Sequence, residues 1–209
     1  ELKKLNIKWA CQGSIDIAQD EELIKLMSEA GCVEMLLGFE NINIQNIKRM
    51  NKRANYAFKY EKIVRIFRKN RILVHASYVI GYDYDTKDCF QDILDFSNRH
   101  KFFLAGFNPA LPIPGTPFYK RLAEEGRLLY DKWWLDDDFA YGKAAFNPHN
   151  MTIEEFEKGI LECKVKYNTH GNIWRRLFDR ESNYLHFLIF LVVNYINRKE
   201  KKKKKDVKL

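Results

Sequence analysis

Over the first 130 positions, short apolar runs alternate with longer stretches of helical periodicity. Ile7–Gln12 is β-like and closes on Gln12-Gly13-Ser14. Asp20 is placed as the N-cap of a helix on which Leu23, Leu26, Met27 and Ala30 repeat at three- and four-residue spacing, and Gly31 stops it. Val33–Glu40 follows, a run too short for a helix and suited to a strand covered on both faces. Ile44, Ile47 and Met50, then Ile63, Ile66 and Phe67, mark two amphipathic helical segments parted near Asn51–Ala54. Ile72–Ile80 is the next strand, halted by Gly81-Tyr82-Asp83-Tyr84-Asp85-Thr86. A helix over 88–100 buries Phe90, Ile93, Leu94 and Phe96. Phe102–Leu111 holds a fourth apolar run, closed by Pro112-Ile113-Pro114-Gly115-Thr116-Pro117 ahead of a short helix over 118–125.

Four strand-helix units in succession predict an α/β fold with a parallel sheet and right-handed crossovers, forming a barrel or part of one. The carboxyl ends of such strands share one rim. Gln12 and Ser14, Glu40, the Gly81–Asp85 turn and the Pro112–Gly115 turn therefore converge on the side where this architecture binds ligands.

Beyond residue 130 the pattern changes. An aromatic and acidic connection runs over 131–150, and a helix starts near Met151 with Thr152 as N-cap and Glu155 as its capping-box partner. A further helix carries Ile173, Trp174, Leu177 and Phe178. The last, from Asn183 to about Arg198, is apolar almost all round, but its apolar stretch is only 13 residues long and is interrupted by His186 and Asn194. About 20 are needed to span a bilayer. The domains expected are thus 1–130, a helical extension over 151–198 and a basic disordered tail over 199–209.

Charge alters the picture once it is located. The net charge is +8, but residues 198–208 hold eight basic side chains against Glu200 and Asp206, so the body carries only about +2. No nucleic-acid partner is expected. An anionic membrane surface is the contact open to the last helix and its lysines. Cys11, Cys32, Cys89 and Cys163 are widely spaced and form no CxxC-type pair, and no signal peptide is visible, which fits reduced thiols in the cytoplasm. The opening residues lack Met and read like the last turn of a helix, so a fragment of a longer protein is expected.

No catalytic-triad, phosphate-loop or HExxH motif is present. The candidates are the rim residues. Glu40 offers only acceptors and suits ribose hydroxyls or an amino group. Asp83 and Asp85 either face a ligand or cap their own turn. Gln12 and Ser14 sit where polar ligand atoms could bind, and Pro112 and Pro114 stiffen a turn whose carbonyls or apolar edge suit a flat ring. His75 and His100 are assigned structural roles, and Cys11 is read as a buried strand thiol.

Trp9-Ala10-Cys11-Gln12-Gly13-Ser14-Ile15-Asp16, Ala30-Gly31-Cys32, Gly38-Phe39-Glu40, Asn51-Lys52, the Gly81–Thr86 turn, Pro112–Pro117 and Glu125-Gly126-Arg127-Leu128 occur in that order. Together they resemble the C-terminal half of a radical S-adenosylmethionine (radical SAM) enzyme of the class with an N-terminal cobalamin-binding domain. Trp133-Trp134-Leu135-Asp136, Phe146-Asn147-Pro148 and Met151-Thr152 resemble that class's post-barrel region.

The resemblance implies a partial TIM-like (βα) barrel, about four of six units, followed by helices. It implies S-adenosylmethionine as cofactor, with a 4Fe–4S cluster on a CxxxCxxC loop and a cobalamin elsewhere in the parent; that loop is absent here. In the family, cofactor cleavage yields a 5′-deoxyadenosyl radical, and the parent would methylate or rearrange an unactivated carbon. Glu40 matches the position that contacts the ribose or amino group. Gly81, Asp83 and Asp85 match the turn supporting adenine, and Pro112, Pro114 and Gly115 the turn meeting adenine through backbone atoms. Gln12 and Ser14 fall near the methionyl and ribose portions. The small-molecule or lipid substrate stays open, and the missing N-terminal half is the expected partner. Alone, the chain is expected to be inactive and to bind the cofactor weakly. Two other readings stand beside this one: a non-catalytic interaction or membrane-surface module, and a hydrolase or lyase using Glu40 with Asp83.

Overall fold

The computed structural model describes residues 1–57, 60–140 and 142–206, the side chains of 56, 57 and 201–206 excepted. Four strands, β1 (Trp9–Gly13), β2 (Cys32–Glu40), β3 (Leu73–Ile80) and β4 (Leu104–Pro109), form one parallel sheet in the order β1-β2-β3-β4. Every neighbouring pair is consecutive in the chain and joined by helical crossovers, so all four carboxyl ends lie on one edge. Strands sit ~4.8 Å apart, which puts the ends of β1 and β4 about 14 Å from each other.

Helices α1 (Glu21–Glu29), α2 (Ile44–Arg49), α3 (Arg53–Ala57), α4 (Tyr60–Lys69), α5 (Cys89–Arg99) and α6 (Pro117–Glu124) fill the connections. The segment after β2 thus holds three helices where the periodicity marks two, and residues 58 and 59 between α3 and α4 lie outside the described residues. Asp20 caps α1 as expected, its Oδ1 accepting from the Leu23 amide at 2.8 Å. Ile63, Val64, Ile66 and Phe67 bury one face of α4.

Alternation divides the sheet. Met35, Leu37 and Phe39 of β2, Val74, Ala76, Tyr78 and Ile80 of β3 and Phe107 of β4 enter the main core beneath the helices. Successive side chains point to opposite faces. Glu34, Leu36 and Gly38, His75, Ser77 and Val79, and Gly106 and Asn108 therefore occupy the other, open face, and all are only partly buried.

The extension closes one end of this layer. α7 (Ile153–Tyr167) starts with the expected capping box between Thr152 and Glu155 and packs on α5 and β4. α8 (His170–Leu177) and α9 (Phe187–Asp206) meet the amino ends of β3 and β4 through Leu73, Phe103, Leu104, Ile173, Leu177 and Phe190. Helical backbone continues to Asp206, beyond residue 199 where a disordered tail is expected from the lysine run, and 207–209 lie outside the described residues. α9 is not buried all round: Phe190 and Asn194 face the core, while Leu188, Val192 and Ile196 stand in solvent.

Candidate functional site

Glu40 closes β2 in the left-handed region, with φ of 61°. That conformation is uncommon for a residue with a Cβ and persists where neighbours over-determine it. The neighbours are present. Register between β2 and β3 shifts between Gly38 and Glu40, a bulge that turns the chain outward. Asn55 Nδ2 donates to the carbonyls of Gly38 at 2.7 Å and Phe39 at 3.1 Å, and the Tyr60 hydroxyl reaches those of Phe39 at 2.9 Å and Asn41 at 3.1 Å. Burial pushes the Tyr60 phenol up to about 12, so it remains a donor.

The glycine two residues earlier has a matching reason. A Cβ on Gly38 would stand 2.8 Å from Glu40 Oε1, so the carboxylate folds back over the bare backbone. Lys52 Nζ holds the same oxygen at 2.9 Å. Glu40 is thereby a fixed, solvent-accessible acceptor at the middle of the rim.

Asp85 belongs to the turn. It is buried and accepts from the Gly81 amide at 2.8 Å, the Tyr82 amide at 3.1 Å, Asn41 Nδ2 at 3.1 Å and Asn46 Nδ2 at 2.8 Å. Burial raises its carboxyl above the ordinary range, against these donors. Its bonds tie the ends of β2 and β3 and α2 into one unit. Gly81 is required there twice over: its φ is 102°, and a Cβ would meet the Phe156 ring of α7 at 2.5 Å.

Asp83 faces protein cations. Arg121 Nη1 lies 2.8 Å and Arg49 Nε 3.2 Å from its Oδ2, with Arg127 Nη1 3.7 Å from Oδ1. Burial acts to raise the carboxyl, but Arg121 and Arg49 hold it below its ordinary value. These pairs join α2, the turn after β3 and α6. Both aspartates are thus engaged by the protein itself, and the pairing of Glu40 with Asp83 as joint catalytic groups has no contact to support it.

At the fourth strand end, the Pro112 carbonyl accepts from Trp133 Nε1 at 2.8 Å, which draws the aromatic connection onto the turn. Pro114 and Gly115 stay exposed, and nothing lies within 4 Å of where a Gly115 Cβ would stand. At the opposite end of the rim, Gln12 is exposed on β1 beside Leu36, and Ser14 precedes the 3₁₀ turn Ile15–Gln19 without a side-chain cap bond. Glu40 therefore stands between two open flanks, Gln12 with Ser14 on one side and Pro114 with Gly115 on the other. Asn41, Asn46, Asn55 and Tyr60 escape the sequence reading; Asn41 directly follows β2, and the one signal for the other three is a polar side chain on a helix whose buried face is otherwise apolar.

No family model matches the chain. The radical S-adenosylmethionine methyltransferase TsrM from Kitasatospora setae, solved with cobalamin and a 4Fe–4S cluster bound, aligns with a TM-score of 0.48 at 20% identity, over 82% of this chain and 36% of that one. The bacteriochlorophyllide d C-12(1)-methyltransferase of Chlorobaculum tepidum is 27% identical over 198 residues, 95% of this chain and 42% of the relative. The C-8(2)-methyltransferase of the same organism is 28% identical over 202 residues, covering 95% and 43%. The chain is thus similar to radical S-adenosylmethionine methyltransferases. It spans less than half the length of these curated relatives.

The residues of this chain can be tested against the cofactors that the resemblance implies. S-adenosylmethionine carries ribose hydroxyls and an amino group, and the Glu40 carboxylate, preset and partly accessible between two open turns, fits those donors. An iron–sulfur cluster does not fit: among the described residues no group of three His, Cys, Asp or Glu side chains could hold a metal ion, and of the four free cysteines only Cys11 and Cys32 lie in hydrogen-bond contact. Burial raises the Cys11 and Cys32 thiols, away from the thiolate form a metal needs.

Proposed function

We propose that this chain forms the adenosyl-binding wall of a radical SAM methyltransferase whose iron–sulfur and cobalamin ligands lie outside these 209 residues. The observation that carries the reading is Glu40, held at positive φ over Gly38 and paired with Lys52. A strained backbone at a strand end, pinned by Asn55 and Tyr60, is how a fold presets a group for a ligand.

When bound, S-adenosylmethionine supplies the transferable methyl and adenosyl groups. Glu40 accepts from the ribose or amino donors, and Lys52 holds the carboxylate in place through its contact with Oε1. Gln12 and Ser14 flank the methionyl side. Pro114 and Gly115 offer a stiff, open backbone to the adenine, and the Gly81 turn, locked by Asp85, supports that edge without contributing a free carboxylate. The reaction on carbon and the identity of the acceptor are proposed by analogy with the methyltransferases that the chain resembles.

Titrating S-adenosylmethionine into the chain and following amide resonances tests this. Gly38, Glu40 and Lys52 should shift, with weak affinity that Glu40→Gln lowers further. Tight binding without a cluster, or shifts confined elsewhere, would sink the proposal.

A second reading follows from α9. Leu188, Val192 and Ile196 are 65%, 57% and 56% exposed and lie along one stripe, and the same helix continues into Lys201–Lys205. No helix among the described residues is long and apolar enough to cross a membrane. A stripe of this kind next to a cationic run suits the surface of an anionic bilayer. Co-sedimentation with phosphatidylglycerol vesicles, lost on deleting 198–209 and absent with phosphatidylcholine, is the expected result; equal pelleting in all three cases refutes it.

A further inference from the structure

The open face of the sheet holds a pair of side chains that the adenosyl wall does not use. Glu34 of β2 and His75 of β3 sit on that face as diagonal neighbours, two positions apart in register, since Glu34 pairs with Leu73 and His75 with Leu36. His75 Nδ1 lies 3.2 Å from Glu34 Oε1, and each side chain is 24% exposed. The sequence alone makes His75 structural. Yet an imidazole with a purely packing role within a strand has both nitrogens satisfied or both excluded from polar work, and here only Nδ1 is engaged: among the described residues Nε2 has no hydrogen-bond partner. A carboxylate on Nδ1 selects the tautomer in which Nδ1 carries the proton and Nε2 is a bare acceptor.

Beside that ring is a cavity of about 320 Å³ between the sheet and α9. Leu104 and Gly106 of β4 form its floor, Val193 and Ile196 of α9 its far wall, and Glu200 is the other ionisable group on its lining. Gly106 keeps the floor low next to the Asn108 amide, since a Cβ there would stand 3.2 Å from Asn108 Nδ2. Asn197 and Glu200 add polar atoms at the α9 side of an otherwise mostly apolar lining, and His75 Nε2 is the acceptor whose orientation a neighbouring side chain fixes.

We propose that His75, oriented by Glu34, binds a small, flat, largely apolar molecule in this cavity by accepting a hydrogen bond at Nε2 from its single N–H or O–H donor. Identifying that molecule as the methyl acceptor rests on the function proposed above; the pocket and the tautomer do not. Glu34 is a positioning residue, since it acts on the ligand only through the imidazole.

Nitrogen-15 spectra of the imidazoles in the full 209-residue chain test the first half. The neutral Nδ1–H tautomer is expected at His75, changing toward Nε2–H in Glu34→Ala. An Nε2–H tautomer in the native chain overturns the proposal. Indole and indene, isosteres with and without an N–H donor, test the second half. Indole should shift His75, Leu104, Val193 and Ile196 and bind about tenfold more tightly than indene, the worth of one hydrogen bond. His75→Phe should abolish the difference, and Glu34→Ala, which keeps the imidazole, should reduce it if the phenylalanine variant fails to fold. Equal binding of the two probes, or no shift at these residues, overturns the site. Parallel titration with S-adenosylmethionine, read at Gly38, Glu40 and Lys52, separates the two claims: a response to indole alone keeps the pocket and removes only the assignment of its ligand as methyl acceptor.

Discussion

The Arg176 guanidinium lies 3.8 Å from the centre of the Tyr167 ring and is fully buried, with no carboxylate partner among the described residues. Its charge is met by oxygens instead. Nη1 donates to the Phe102 and Phe103 carbonyls at 2.9 Å each, Nη2 to the Tyr167 carbonyl at 3.2 Å and Asn194 Oδ1 at 3.0 Å, and Nε to the Asn172 carbonyl at 3.2 Å. The Tyr167 carbonyl belongs to the last turn of α7, where unpaired carbonyls give the helix its negative end. One side chain thus joins α7, α8 and α9 to the start of β4. Arg176→Met should lower stability by about 3 kcal/mol or more by leaving those carbonyls unpaired, with Arg176→Lys recovering little because the ammonium cannot match the planar fork. Urea denaturation of the three chains gives the comparison.

Glu40 should show the reverse relation between stability and binding. Glu40→Gly removes the cost of positive φ, so the variant is expected to gain about 1 kcal/mol. It should lose the S-adenosylmethionine shifts at Gly38 and Lys52. Gly38→Ala should fold, because the clashing Glu40 oxygen ends a flexible side chain, but it displaces the carboxylate and weakens binding in the same assay. A stable Gly38→Ala chain that binds normally would contradict the role given to the bare backbone.

Gly81 has no such freedom. An alanine there meets the Phe156 ring at 2.5 Å and cannot relax its φ of 102° without releasing Asp85. Gly81→Ala is expected to cost about 2–3 kcal/mol. Adding Phe156→Leu should return only part of that, since the steric contact is relieved but the backbone strain is not. Full recovery in thermal melts would show that the ring contact alone matters.

His100 makes stability depend on pH. It packs against Phe96 at 4.4 Å and Phe102 at 5.8 Å, with Nε2 buried and unpartnered. Burial holds its pKa below the ordinary histidine value. The unfolded chain therefore takes up the proton first, and stability falls as pH drops below ~6.5 toward the lower folded value. His100→Phe should flatten this part of the unfolding profile relative to the native chain between about pH 7 and 5. Parallel profiles would exclude the contribution.

Asp83 is expected to act as a structural tie. Asp83→Asn leaves Arg49, Arg121 and Arg127 facing one another across the rim and should destabilise by about 2 kcal/mol, less than a wholly buried pair because Arg49 is half exposed. Its carboxyl is held low by those arginines, so the stability it provides is present above the ordinary aspartate range and is lost as pH falls through the folded pKa. The acid limb of the native profile, shallower in Asp83→Asn, is the measurement.

Much of the architecture is local in origin. Runs such as Val33–Phe39 and Leu73–Ile80 read as strands covered on both faces, although the structure buries only one face fully; Asp20 and Thr152 cap the helices they precede, and four such units in order leave little choice but a parallel sheet. The sequence by itself therefore determined the strands, their order along the chain and the rim where Gln12, Glu40 and Pro114 stand. It did not decide between ligand and turn for Asp83 and Asp85, because a carboxylate's role depends on which donors reach it. Those donors, Arg121 for one and Asn41 with Asn46 for the other, come from elements up to 44 residues away. Tertiary structure alone gave Glu40 its positive φ and Lys52 partner. It also placed Glu34 beside His75 on a face that no periodicity reveals, since pairing across strands depends on register, and register emerges only when the whole sheet is packed.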